Sequence, residues 1–165
     1  MNLPLTAFSE EEEIFRASVR DFAEARVRPL VEQMERECKQ PRALLDEMFE
    51  LGLMAIETPE EYGGAGASFF MSILAIEELA RVDPAAAIPV DVQNTLVANQ
   101  FLRWGTDDQK QRFLPRLATD TLGSYALSEA RSGSDAFALQ TTAERCDDGF
   151  RLSGRKMWIS NAAEA

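Results

Sequence analysis

The sequence predicts an α+β protein: an all-α N-terminal region followed by the beginning of an antiparallel β region. Three observations carry this. Apolar residues recur at helical spacing as far as about residue 120. Two capping-box pairs, Ser9 with Glu12 and Thr106 with Gln109, mark helix starts within that stretch. From Leu122 onward the period shortens to alternation, and Asp148-Gly149 supplies a hairpin-type turn. The chain therefore divides into a helical region, 1–120, and a β region, 121–165.

The first helix opens at Ser9, and Phe15, Val19, Phe22 and Ala25 form its apolar face. Pro29 ends or kinks it, with residues 31–38 as a continuation. The run Glu10-Glu11-Glu12-Glu13 is a solvated first turn favoured by the helix dipole. A second helix starts near Pro41, buries Leu44, Leu45, Met48 and Phe49, and stops at Gly52. A loop with Pro59, Gly63, Gly64 and Gly66 follows. No strand precedes these glycines, so they read as a structural turn and not as a nucleotide loop. The third helix carries Phe70, Ile73, Leu74 and Ile76 and closes at Asp83-Pro84. A fourth runs from Pro89 to Trp104 and stops at Gly105. The fifth follows Thr106 and buries Phe113, Leu114 and Leu117. Beyond Leu122, four short strands are expected, at residues 124–127, 139–145, 150–152 and 157–160. So small a sheet, with an open edge, is incomplete.

Bulk composition narrows the function. A length of 165 residues suits one domain and part of a second, and 45% hydrophobic residues suffice for a core. With 28 acidic against 17 basic residues the net charge is −11, and no basic face exists to neutralise nucleic-acid phosphates or an anionic membrane. There is no histidine, which excludes Ser-His-Asp and Cys-His nucleophilic sites and His-ligated metal in this stretch. Cys38 and Cys146 are far apart, as befits thiols of a reducing compartment. Residues 1–8 lack a basic n-region and run into the glutamates, unlike a secretory signal or a mitochondrial presequence. No stretch approaches the ~20 apolar residues of a membrane span. The expected location is the cytoplasm of a bacterium, or a mitochondrial matrix after removal of a presequence.

The chemistry concentrates in the run from Tyr125 to Asp135, which leaves a strand and enters a loop of small residues. Glycine lets backbone amides approach an anion closely, and serine hydroxyls add donors, so such a loop can hold a diphosphate. On these residues alone a plain turn is the more common use. Glu129, beside that loop, reads as an anchor for backbone amides and not as an acid or base. Trp158 alternates with Ile159, and by itself suits a core, a surface or a stacking role equally.

The run Ala126-Leu127-Ser128-Glu129, then Ser132-Gly133-Ser134-Asp135 and Ala138, resembles the flavin-loop signature of the acyl-CoA dehydrogenases. The likeness covers almost the whole chain, through Leu51-Gly52-Leu53-Met54, Glu61-Tyr62-Gly63-Gly64, Ile76-Glu77-Glu78-Leu79-Ala80, Gly105-Thr106 and Gln109-Lys110. Lys156-Met157-Trp158-Ile159-Ser160 is similar to the family's second flavin motif. Leu53-Met54, Gly66-Ala67-Ser68-Phe69 and Gln93-Asn94-Thr95-Leu96 resemble the short/branched-chain members most.

The resemblance implies FAD as cofactor and assigns roles by position. Tyr125, Leu127, Ser128, Gly133 and Ser134 would line the isoalloxazine and diphosphate, with Ser128 hydrogen-bonded to the pyrimidine edge of the flavin. Ser134 would lie where flavin phosphate and acyl-CoA meet. Trp158 would pack on the flavin ring beside Ile159, and Ser160 would reach its N5/O4 side. Arg131 stands where relatives often carry Gly, which would be costly if the position needs a positive φ. The family has helices, a β domain and a closing helical bundle that bears the catalytic glutamate. That bundle is expected to be absent here, so no catalytic residue falls within this stretch, and Glu164 comes too early to be the base. The implied activity of the parent protein is α,β-dehydrogenation of a short acyl-CoA, straight or 2-methyl-branched, to the 2,3-enoyl-CoA. Its implied partners are the acyl-CoA substrate and an electron-transfer flavoprotein, and its implied assembly is a homotetramer. The alternative is a truncated, non-catalytic relative that binds a ligand or partner.

Overall fold

The structure, a computed structural model, describes residues 7–165, so the reading of residues 1–8 lies almost wholly outside the described residues. Helix α1, Glu10–Phe22, begins as its capping box demands: Ser9 Oγ accepts from the Glu12 amide at 3.2 Å, and the Ser9 amide donates to Glu12 Oε2 at 2.7 Å. The rod does not stop at Pro29. It continues through a π turn, Ala23–Val27, and a 3₁₀ turn, Arg28–Leu30, into α2, Val31–Glu37. The looser and then tighter turns absorb the amide that Pro29 lacks. They also shift the buried face to Val19, Ala23 and Val27, and leave the expected Ala25 exposed. Cys38 closes α2 in the left-handed conformation, with φ 51°, and its thiol is free and exposed.

Helix α3, Arg42–Glu50, buries Leu44, Leu45, Met48 and Phe49 as the spacing predicts, and the chain turns at Gly52 with φ 72°. The following glycine loop is a structural turn. A Cβ at Gly64 would stand 2.0 Å from the Thr58 carbonyl oxygen. The amides of Ala65, Gly66 and Ala67 donate to the carbonyls of Ala55, Thr58 and Ile56, so they are spent within the chain.

Helix α4, Phe69–Ala80, packs on α1 and turns Leu74, Ala75 and Leu79 inward, while Ile73, expected in the stripe, faces out. Asp83 caps α5, Pro84–Asp91, by accepting from the Ala85 amide at 3.0 Å. The helix thus begins at Pro84, earlier than the expected Pro89. Pro89 sits inside it, and its missing N–H would have bonded the Ala85 carbonyl. Gln40 Nε2 donates to that carbonyl instead, at 2.5 Å.

The rod passes through a π segment, Val92–Ala98, into α6, Asn99–Trp104. A second capping box, Thr106 with Gln109, opens α7, Asp107–Thr119. No helix among the described residues is long and apolar enough to cross a membrane.

The π segment points two buried amides at neighbouring backbone. Asn94 accepts from the Ile56 amide at 2.8 Å and donates to the carbonyls of Leu53 and Val90, both at 2.8 Å. Asn94→Ala would strand buried groups on two other segments. Since each such group costs about 1–3 kcal/mol, a loss of about 2 kcal/mol is expected in urea unfolding. Thr95→Ala, at a half-buried neighbour, should lose less.

Two strands, not four, are present among the described residues. β1, Thr142–Cys146, and β2, Gly149–Ser153, pair antiparallel, with Thr142 opposite Ser153 and Cys146 opposite Gly149. The expected strand at 139–145 therefore starts three residues late, and the turn falls at Asp147-Asp148. Residues 124–127 and 157–160 are not strands. Trp158 and Asn161 hold left-handed conformations, with φ 59° and 65°, which break the extended geometry a ladder needs.

Candidate flavin-loop site

Although they form no ladder, residues 123–128 and 156–161 run side by side in opposite directions. Asn161 Nδ2 donates to the Gly123 carbonyl at 3.1 Å, and Ser124 Oγ to the Ser160 carbonyl at 2.9 Å. The Met157 amide donates to the Ser128 carbonyl at 3.0 Å, and Lys156 Nζ to the Leu127 carbonyl at 3.0 Å. Side chains replace most of the rungs. Gln93, fully buried in the π segment, ties this pair to the helices: its Nε2 donates to the carbonyls of Leu117 and Thr121, and its Oε1 accepts from the Gly123 amide at 2.8 Å.

The loop that follows is shaped from within. The amides and carbonyls of Glu129 and Ser132 bond reciprocally, at 3.0 and 3.1 Å. Ser132, 2% exposed, donates its hydroxyl to the Asp135 carbonyl at 2.8 Å. The Glu129 carboxylate is buried and accepts from the Gln140 amide at 2.6 Å, the Thr141 amide at 3.1 Å and Lys156 Nζ at 2.8 Å. Lys156 foremost, then Thr141 and the Gln140 amide, hold its pKa down at about 2. It anchors amides, as its position beside the loop suggested.

Ser128 is half-buried, and no hydrogen bond engages its hydroxyl among the described residues; Tyr125 is half-buried and Leu127 exposed. Gly133 and Ser134 are exposed, and their amides have no acceptor among the described residues. Nothing stands within 4 Å of where a Gly133 Cβ would be. Trp158 is 85% exposed. Ile159 and Ser160 line a groove of about 500 Å³ with Leu45, Ile88, Pro89 and Leu122. Arg131 does not take a positive φ, so the strain foreseen there does not arise.

This donor set fits a flavin dinucleotide. Open amides at Gly133 and Ser134 suit a diphosphate, and the open face of Trp158 suits a planar ring. Trp158 also stores strain, because a positive φ in a bulky residue is uncommon and collects at functional sites. In the sequence, Lys156 and Gln93 stand out only as parts of motifs. Their partners lie 24 to 30 residues away along the chain, beyond any local signal.

Comparison with known proteins identifies the family. The family described as "Acyl-CoA dehydrogenase, N-terminal domain" matches residues 9–121. A Dictyostelium discoideum protein named as a probable short/branched chain specific acyl-CoA dehydrogenase is 51% identical over 98% of this chain and 40% of its own length. The mitochondrial short/branched chain specific acyl-CoA dehydrogenase of Bos taurus is 43% identical over 96% of this chain and 37% of its own. The solved butyryl-CoA dehydrogenase of Megasphaera elsdenii superposes with a TM-score of 0.91 at 33% identity, covering 100% of this chain and 44% of that one. The chain thus spans about two fifths of the length of the curated relatives it matches. On the family match, these identities and the shared fold, the chain belongs to the acyl-CoA dehydrogenase family.

Proposed function

We propose that this chain supplies the helical part and the flavin-facing segments of an FAD-dependent acyl-CoA dehydrogenase. Its substrate would be a short acyl-CoA, straight or 2-methyl-branched, oxidised to the 2,3-enoyl-CoA. The observation that supports the reading is the pairing of 123–128 with 156–161, which sets Ser128 against Met157 and Ser124 against Ser160, just before the chain enters the loop bearing Gly133 and Ser134. When bound, FAD would accept the substrate's β-hydrogen with its electron pair while a base takes the α-proton and the double bond forms.

The chain's own residues hold and tune. Ser128, whose hydroxyl has no partner among the described residues, would offer it to the edge where charge collects, and a donor placed in advance stabilises charge that develops during reaction. Gly133 and Ser134 offer amides to the diphosphate, and Ser134 adds a hydroxyl where substrate and cofactor would meet. Trp158 would cover the ring, with Ile159 and Ser160 bordering it. A division into a helical domain, 1–120, and an incomplete β domain, 121–165, belongs to this reading, and the end of α7 at Thr119 supports it. Short/branched-chain identity favours a short substrate. An electron-transfer flavoprotein as acceptor, a homotetrameric parent, and a bacterial cytoplasmic or mitochondrial matrix location complete the reading.

A second reading is a truncated, non-catalytic relative that binds a ligand or partner. Extending the reading frame separates the two: a downstream helical sequence with a placed glutamate favours the enzyme. For the enzyme, Ser128→Ala in the flavin-loaded protein should lower the flavin potential and slow reduction, through loss of a hydrogen bond to a charged group worth about 1.5–3 kcal/mol. An unchanged stopped-flow reduction rate would remove Ser128 from the site.

A further inference from the structure

We infer that Glu129 and Lys156 are positioning residues whose contact clips the two flavin-facing segments together and keeps Trp158 in its left-handed conformation. The inference rests on the flavin reading above and goes one step deeper into the same site.

Three segments converge on this pair. Lys156 Nζ bridges the Leu127 carbonyl and Glu129 Oε1, at 3.0 and 2.8 Å. The Glu129 oxygens also receive the amides of Gln140 and Thr141, which lead into β1. One residue after Lys156, the Met157 amide bonds the Ser128 carbonyl, and Trp158 follows with φ 59°. A bulky residue keeps such a conformation only where its surroundings over-determine it. Trp158 itself is 85% exposed, so its own side chain supplies little of that restraint. The restraint comes from the bonds on either side: Lys156 and Met157 before it, and the Ser160 carbonyl and Asn161 after it.

The pair is well made for the task. The Lys156 and Glu129 side chains are 23% and 5% exposed, so the contact is largely withdrawn from water and salt. A short carboxylate with three donors has little freedom to swing. The loop from Glu129 to Ser132 is fixed at one end by this cluster and at the other by the Ser132 hydroxyl on the Asp135 carbonyl. Removing the ammonium frees Leu127, Glu129 and the approach to Trp158 together.

The test uses the 165-residue chain with Trp104→Phe as background, so that Trp158 is the reporting indole. Lys156→Met, Lys156→Arg and Glu129→Gln are compared with that parent by two readouts. The first needs no flavin: hydrogen exchange at the Gln140, Thr141 and Met157 amides. Lys156→Met and Glu129→Gln should speed exchange there, while amides in α3 and α4 keep parental rates. The second is quenching of Trp158 fluorescence by added FAD. The two variants should bind FAD about tenfold more weakly, the loss expected when a charged hydrogen bond that orders a binding loop is removed. Lys156→Arg, which retains a donor for both oxygens, should restore both signals. Unchanged exchange at the three amides overturns the clip, whatever FAD does. Faster exchange with an unchanged FAD titration also overturns it, since the clip would then hold nothing the flavin uses. If the parent binds no FAD, the exchange at the three amides alone decides the clip.

Discussion

Glu78→Gln is expected to lower the stability of the folded chain by about 3 kcal/mol, at the lower end of what breaking a buried ion pair costs. Glu78 is 1% exposed on α4 and receives three guanidinium groups: Arg16 at 2.7 Å, Arg20 at 2.8 Å and Arg81 at 2.7 Å. Arg16 and Arg20 come from α1, so the cluster is also the polar part of the seam between these two helices. The glutamine fills the same space but carries no charge. Arg20 and Arg81 are 42% and 55% exposed and can turn to water. Arg16, at 24%, is less free to do so, which keeps the loss from falling below that bound. Against a typical total of about 5–15 kcal/mol, this is a large fraction of what holds the chain folded.

The pH dependence has a fixed sign. Bonding to Arg20 first, then Arg16 and Arg81, holds Glu78 at about 2, below its ordinary 4.5, against the opposing effect of burial. The stability it contributes is therefore complete above 4.5 and is lost as the pH falls from 4.5 towards 2. Urea midpoints measured across that window should fall steeply for the parent and more gently for Glu78→Gln. Parallel slopes would show that the carboxylate is not ionised in the fold.

The second large effect is a loss of chemistry. A protein of these 165 residues, given FAD and a short branched acyl-CoA under anaerobic conditions, is expected not to bleach the flavin above the rate in buffer. The α-proton of a thioester is a poor acid, and its removal needs a carboxylate within hydrogen-bond reach whose pKa lies near the working pH. Glu129 opens the loop, but at about 2 it is a very weak base, and its oxygens already accept three donors. Asp135 accepts from the Phe137 amide at 3.1 Å, and Glu164 pairs with Lys39 at 3.2 Å. General bases typically contribute about 10²–10⁴ in rate, so their absence is readily seen. Bleaching above buffer would show that one of these carboxylates leaves its partners to act.

What could be read from the sequence follows from how far apart the interacting residues are. The capping boxes are complete within four contiguous residues, and both form. The α3 stripe needs only helical spacing, and all its members are buried. Glu78 was legible as part of a motif but not as the hub of a buried cluster, because Arg16 and Arg20 stand 62 and 58 residues away. Alternation at 157–160 looked like a strand because a one-dimensional pattern carries no sign of φ; the left-handed turn at Trp158 depends on bonds to residues 123–128. Ala25 was misplaced for a related reason. Its position was counted at 3.6 residues per turn across a segment that winds more loosely.

That looser winding recurs at Val92–Ala98, where it has a consequence for how the sequence can vary in length. A π segment holds one more residue per turn than its α-helical flanks. Substitutions there act one side chain at a time. Deleting one residue would let the stretch relax to ordinary pitch, and every side chain beyond the deletion would rotate relative to those before it. Gln93 and Asn94 serve different neighbours, the Gly123 approach to the loop and the Leu53–Ile56 segment. A shortened helix could keep both attachments only by turning α6 away from α7, where Phe101 stacks on Phe113. Within this stretch the number of residues is constrained as tightly as their identity.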